Sequence, residues 1–186
     1  MIGYALCGSF CTHKKSLEVF EEMIKDGADL LPIVSETVYS TDTRFGKAKD
    51  LRERLEALSK KEVIHTLTEA EPLGPKVSLD CLIICPCTGN TIAKIANGIT
   101  DTAVTMAAKA HLRSDRPLVI ALASNDALSA NLKNIATLLS RKNVYFVPMI
   151  QDEPVSKPHS LVADFSMVRD TLDHAMKGKQ LRKIFI

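Results

Sequence analysis

The chain has no tryptophan, and aromatic residues make up only 5% of its 186 positions. Binders of single-stranded nucleic acid stack bases on rows of aromatic rings, so the composition argues against that class. Neither sign of charge dominates: 24 Lys and Arg stand against 22 Asp and Glu, a net charge of +2. That balance offers no electrostatic footprint for a nucleic acid partner. No apolar run approaches the roughly 20 residues of a membrane span. The opening MIGYALCGSF lacks a basic start and a cleavage pattern, and is expected to be a strand rather than a signal peptide. There is no low-complexity segment and no repeat of fixed period. The five cysteines are an odd number in a chain of otherwise ordinary composition. They point to free thiols in a reducing, cytoplasmic setting. The spacings Cys7-x3-Cys11 and Cys85-x-Cys87 do not match a zinc site, and the histidines form no ligand pattern, so no metal is expected.

What is present is an alternation of strands and helices. The length suits one domain over residues 1–186, burying about 70% of its unfolded surface. Strands are expected at 2–7, 30–34, 79–85, 117–123 and 144–147. Helices are expected from the Ser9 to Thr12 turn to Gly27, over 48–58, over 90–98, from Asp101 or Thr102 to Arg113, over 127–141 and over 161–176. EPLGPK at 71–76 reads as a rigid turn, because each proline fixes its own φ and restrains its predecessor. The basic, apolar-ended KGKQLRKIFI reads either as a solvated tail or as a docking segment. The alternation implies a three-layer, Rossmann-like, doubly wound parallel sheet with helices on both faces. Ligands in such a sheet sit beyond the carboxyl ends of the strands.

The densest signal is PCTGNTIAKIANGITD, 86–101. It follows the apolar run LDCLIIC and places Thr88, Gly89, Asn90 and Thr91 at a helix start. Unpaired N–H groups and the helix dipole favour an anion there, and these side chains suit a phosphate or a flavin edge. The same turn also reads as ordinary capping by Thr88 or Asn90. The other strand ends supply Gly8 and Ser9, Ser35 and Glu36, and Ser124, Asn125 and Asp126. Asp126 is expected to cap the next helix. No dinucleotide fingerprint or P-loop is present. The loop STDTRFG, 40–46, carries Arg44, whose planar guanidinium suits a carboxylate, with Lys76 as a second charge. Cys11 and Cys87 are expected in turns facing the site. Among the histidines, His159 is the candidate for chemistry.

GSFCT, Ser35 and PCTGNTIAKIANGITD together resemble the homo-oligomeric flavin-containing cysteine decarboxylase family. That family of flavoproteins includes cysteine decarboxylases and flavin prenyltransferases. The resemblance implies FMN held by Gly8, Ser9, Ser35, Thr88, Asn90, Thr91 and Ser124 or Asn125, and assembly as a trimer or dodecamer. Further blocks are similar to one branch of the family: AEPLGPK at 70–76, ASNDAL at 123–128 and VPMIQDEPVSKPHS at 147–160. This branch implies one component of a two-component oxidoreductase. Its partner would be an NAD(P)-dehydrogenase-like A subunit, the only route by which NAD(P) enters. The reaction implied is oxidation of a dihydrodipicolinate-type dicarboxylate to dipicolinate, in the mother cell of a sporulating bacterium, with Arg44 and Asn125 as candidate catalytic residues. The chain departs from the decarboxylases in two places: LASND replaces a P-x-M-N-type motif, and STDTRFG lacks their histidine. Other readings within the resemblance are a flavin-dependent decarboxylase or prenyltransferase, and a non-catalytic accessory subunit without bound flavin.

Overall fold

A computed structural model describes residues 1–186. Four apolar runs, IGYAL, LLPIV, CLIICPC and LVIALAS, are buried along almost their whole length. Strands of that kind need cover on both faces. They form β1 (Ile2–Leu6), β2 (Leu30–Val34), β3 (Cys81–Cys87) and β4 (Leu118–Ser124). β1 lies between β2 and β3, β3 lies beside β4, and all four are parallel. β5 (Val144–Phe146) continues the parallel array against the start of β4.

Alternate residues face opposite layers, as the strand period of two requires. Ala5, Ile33, Leu82, Ile84, Ile120 and Leu122 lie in one apolar cluster. That cluster is covered by α4 (Leu67–Ala70), α5 (Gly89–Ala96), α6 (Ala103–Leu112) and α7 (Leu132–Leu139). Tyr4, Leu6, Val34, Ile83, Val119 and Ala121 lie in the other. It is covered by α1 (His13–Lys25), the short α2 (Glu36–Ser40), α3 (Ala48–Ser59) and α8 (Val168–Ala175).

The sheet is mixed rather than wholly parallel. β7 (Leu161–Ala163) runs antiparallel to the end of β4, and β6 (Met149–Ile150) runs antiparallel to β7. The expected helix from 161 therefore begins only at Val168. Leu161–Ala163 has the alternating burial of a strand, and Asp164 caps a 3-10 turn over Phe165–Met167 through the Ser166 amide. The helix expected from Ala127 begins at Leu132, because the Asp126 carbonyl takes the amides of Ser129 and Asn131 and winds 125–131 into turns. β3 runs two residues beyond its expected end. Its register against β4 shifts between Ile84 and Cys87, where Pro86 has no N–H to donate. Thr102, not Asp101, caps α6, with a reciprocal bond from Thr105. The last residues return to the sheet. Gln180 pairs with both backbone groups of Phe146, and Met149 bonds Ile184 and Ile186.

The turn at 71–76 closes against α6. Gly74 has φ +111°, and a Cβ there would fall 2.3 Å from the Ala110 carbonyl oxygen. Gly74→Ala should therefore cost roughly 2–4 kcal/mol, from backbone strain plus overpacking. Denaturant titration checks this as a lower midpoint at an unchanged slope.

Candidate functional site

The carboxyl ends of β1, β3 and β4 open onto a cleft of about 680 Å³. Gly8, Ser9, Thr88, Asn90, Ser124 and Asn125 line it, together with Arg44. Six of the sequence candidates plus Arg44 thus meet at one surface, although they span more than a hundred positions of chain.

The α5 end of the cleft is built by capping. The Thr88 hydroxyl accepts from the Thr91 amide at 3.2 Å, and its carbonyl takes the Ile92 amide. The amides of Gly89 and Asn90 are left without a partner in the fold. At the β4 end, a polar chain fixes the wall. Ser124 donates to the Asp126 carboxylate, which also accepts from Asn131 at 2.9 Å. Asn131 accepts from Asn134, which accepts in turn from Asn97 at the end of α5. The Ser124 hydroxyl, ahead of the Asn131 amide, holds the Asp126 carboxyl below its usual pKa. Gly89 sits directly against this chain. A Cβ there would lie 2.5 Å from Ser124 Oγ and 2.6 Å from Asn131 Nδ2. The role expected of Asp126 is therefore corrected: it organises the turn and does not cap α7.

Arg44 and Phe45 form the tip of a tight hairpin. The Thr43 and Gly46 backbones exchange hydrogen bonds at 3.0 and 3.1 Å. The Arg44 guanidinium lies over the Phe45 ring, 4.8 Å from its centroid. Arg44 makes no ion pair; Asp42 instead accepts from the Ala48 amide at 2.8 Å and anchors the hairpin to α3. Behind the hairpin, Tyr39 stacks on His65 at 3.6 Å and carries the Arg52 guanidinium 4.1 Å from its ring.

Other candidates lie elsewhere. The Ser35 hydroxyl caps α2 through the Val38 amide and does not line the cleft. Thr91 is buried, and its hydroxyl donates to Cys7 Sγ at 3.3 Å. Cys87, expected in a turn, is the buried last residue of β3. Lys76 lines a separate pocket between the 71–76 turn and α6, away from Arg44. His159 is exposed and lines neither this cleft nor its neighbour. No group of three His, Cys, Asp or Glu side chains is arranged to hold a metal ion.

Sequence reasoning missed a second cleft of about 550 Å³ between α1 and α3, lined in part by His13. It shares Phe10, Cys11 and Phe45 with the first cleft. No motif marks it, since its walls come from the outer faces of two helices and the hairpin. The one available signal was the position of His13, a few residues past the end of β1.

Comparison with known proteins bears on the family and the fold. A family model described as Flavoprotein matches residues 1–175. The chain is 43% identical to the B subunit of dipicolinate synthase from Bacillus subtilis, over 100% of this chain and 92% of that one. The crystal structure of the corresponding B subunit from Bacillus halodurans superposes with a TM-score of 0.91 at 40% identity, covering 100% and 95% of the two chains. A dodecameric FMN-dependent UbiX-like decarboxylase from Escherichia coli O157:H7 shares the fold, with a TM-score of 0.62 at 22% identity over 80% of each chain. No helix is long and apolar enough to cross a membrane.

The thiols divide sharply. Burial pushes Cys7 up to about 11 and Cys81 and Cys85 up to about 12, and it also raises Cys87. Cys11 alone is exposed. Thiolate is the reactive form, so at pH 8 the native protein should react rapidly at one thiol. A thiol-exchange reagent followed by peptide mapping should find Cys11 first, with the other four appearing only on unfolding.

Proposed function

The chain belongs to the flavoprotein family, and on that premise we propose that it is the FMN-binding B subunit of a dipicolinate synthase. In this reading it works with an NAD(P)-dehydrogenase-like A subunit to oxidise a dihydrodipicolinate-type dicarboxylate to dipicolinate during sporulation. The observation that carries the reading is the cleft at the ends of β1, β3 and β4, with free amides at Gly89 and Asn90. The identity to named B subunits supports the activity. A multimeric assembly belongs to the same reading and is supported by the dodecameric fold relative.

The residues fit a phosphate. The Gly89 and Asn90 amides supply two N–H donors at the start of α5, where the helix dipole favours an anion. The Ser9 hydroxyl adds a third donor, its nearest partner being Cys11 Sγ at 4.0 Å. A Cβ on Gly8 would meet nothing closer than 3.6 Å, so the absent side chain serves no packing need and leaves room in the cleft. Thr88 supports the amides by capping α5, and Ser124, bonded to Asp126, presents a fixed wall. FMN, when bound, supplies a two-electron redox centre.

Arg44 is placed to hold the substrate. Its guanidinium has no acidic partner and lies over the exposed Phe45 ring. A carboxylate approaching the tip meets two parallel N–H donors, which a lysine cannot offer. Asn125, exposed beside Ser124 in the first cleft, can donate from its amide to the bound flavin.

Titration with FMN should show saturable binding and a bound-flavin spectrum. Ser9→Ala should weaken that binding roughly ten- to hundred-fold, about 1.5–3 kcal/mol for one charge-assisted bond. Absence of saturable binding to the wild type would remove the cofactor from the reading.

Steady-state dipicolinate formation by the reconstituted A and B pair tests the substrate clamp. Arg44→Ala should raise KM for the dihydrodipicolinate-type substrate by about tenfold or more while the A–B complex forms as before. A kcat/KM near the wild-type value would take Arg44 out of the site.

A further inference from the structure

The second cleft contains a histidine whose two nitrogens are already assigned different tasks. His13 begins α1, and its Nε2 lies 2.8 Å from the Cys7 carbonyl oxygen. A carbonyl can only accept, so Nε2 carries the hydrogen and donates it. In the neutral ring this leaves Nδ1 as a bare lone pair. Nδ1 has no protein partner and, unlike Nδ1 of His65 and His111, is not sealed from solvent. The Phe10 ring packs at 5.0 Å from the imidazole and limits its rotation. Burial holds this imidazole below its ordinary pKa, against the opposing effect of the Cys7 carbonyl.

The cleft around His13 has the chemistry of a small ring acid. Phe10, Leu17, Val38, Leu51 and Phe45 give apolar walls. Lys14 and Lys47 line the same space and make no ion pair, whereas Arg54 is held by Glu21 at 2.8 Å. Asp50, in the first turn of α3, is the one acid in the lining. A volume of about 550 Å³ accepts a six-membered ring carrying two carboxylates. Phe10, Cys11 and Phe45 separate this space from the first cleft and belong to both.

We propose that the second cleft seats the ring of the dicarboxylate substrate and that His13 Nδ1 takes up the proton released when that ring is oxidised. The inference rests on the redox reading above and deepens it. Aromatisation of a dihydropyridine-type ring removes one hydride and one proton. The hydride leaves a ring carbon with its electron pair and reduces an oxidised flavin or nicotinamide. The adjoining ring C–H or N–H bond breaks with its electrons staying in the ring to complete the double bond. The proton passes to Nδ1, and the resulting imidazolium keeps its Nε2–H bond to Cys7. Lys14 and Lys47 meet the two carboxylates, and Arg44 reaches over the shared wall from the first cleft.

The test has one arm that needs neither flavin nor partner. Nitrogen NMR of the histidine rings in the cofactor-free chain, with His13→Gln used for assignment, should show the His13 signals move as pyridine-2,6-dicarboxylate is added in metal-free buffer. In the second arm, His13→Gln keeps a donor for the Cys7 carbonyl but loses Nδ1. The reconstituted enzyme should then lose about a hundredfold or more in kcat while its FMN affinity stays within about twofold. A His13 signal that does not move at millimolar ligand, or a variant within about threefold of the wild-type kcat, overturns the proposal. If the variant does not fold, the wild-type titration decides, with the signals assigned through His13→Asn. Failure of the underlying redox reading appears separately, as wild-type protein that does not bind FMN.

Discussion

The arrangement depends on one close approach, that of the Gly89 backbone to the polar chain Ser124, Asp126, Asn131. The gap is so narrow that a single added carbon would lie within 2.7 Å of all three side chains. Two consequences follow from it. The start of α5 is set against the end of β4, so that amides from one and hydroxyl and amide side chains from the other share one surface. The Asp126 carboxylate is also fully engaged in structure, binding Ser124 and Asn131 at once. A carboxylate free at this point would repel an anion; one held by two donors is instead part of the wall.

The same cleft is bordered by a hairpin, its roof, of different construction. The hairpin carrying Arg44 and Phe45 closes on its own backbone bonds and is tied to the start of α3 through Asp42. Wall and roof enclose two neighbouring spaces of contrasting character. The first is rich in amides and hydroxyls, as a phosphate requires, and the second is apolar with unpaired lysines, as a ring acid requires. On the proposed reading, the division lets a cofactor and a substrate lie side by side without competing for donors.

Much of this was legible in the sequence, for reasons that particular residues make plain. Thr88-Gly89-Asn90 after an apolar run announces a helix start at a strand end, because capping and burial both act locally. Gly8, Ser9, Ser124 and Asn125 follow from the same rule once the parallel order is accepted. What escaped was non-local. Ser35 and Thr91 look like any other strand-end hydroxyl, but one caps α2 and the other bonds Cys7. Residues 161–163 have too few positions for a helical or strand period to declare itself, and their pairing with β4 decided the matter. His13 is silent in sequence because its meaning lies in a bond back to Cys7, formed only when the 3-10 turn at Phe10–Thr12 folds the chain.

The hairpin at 43–46 has a consequence for how such a protein can change over generations. Its closure uses main-chain groups of Thr43 and Gly46, together with the Thr43 hydroxyl. The two side chains at its tip, Arg44 and Phe45, are exposed and contribute nothing to the sheet or to either apolar layer. Their exchange should leave the core untouched, so on the substrate role proposed above ligand preference and stability are separable traits. A lineage could drift from one ring acid to another by altering two codons, while the scaffold beneath remained under its own, independent selection.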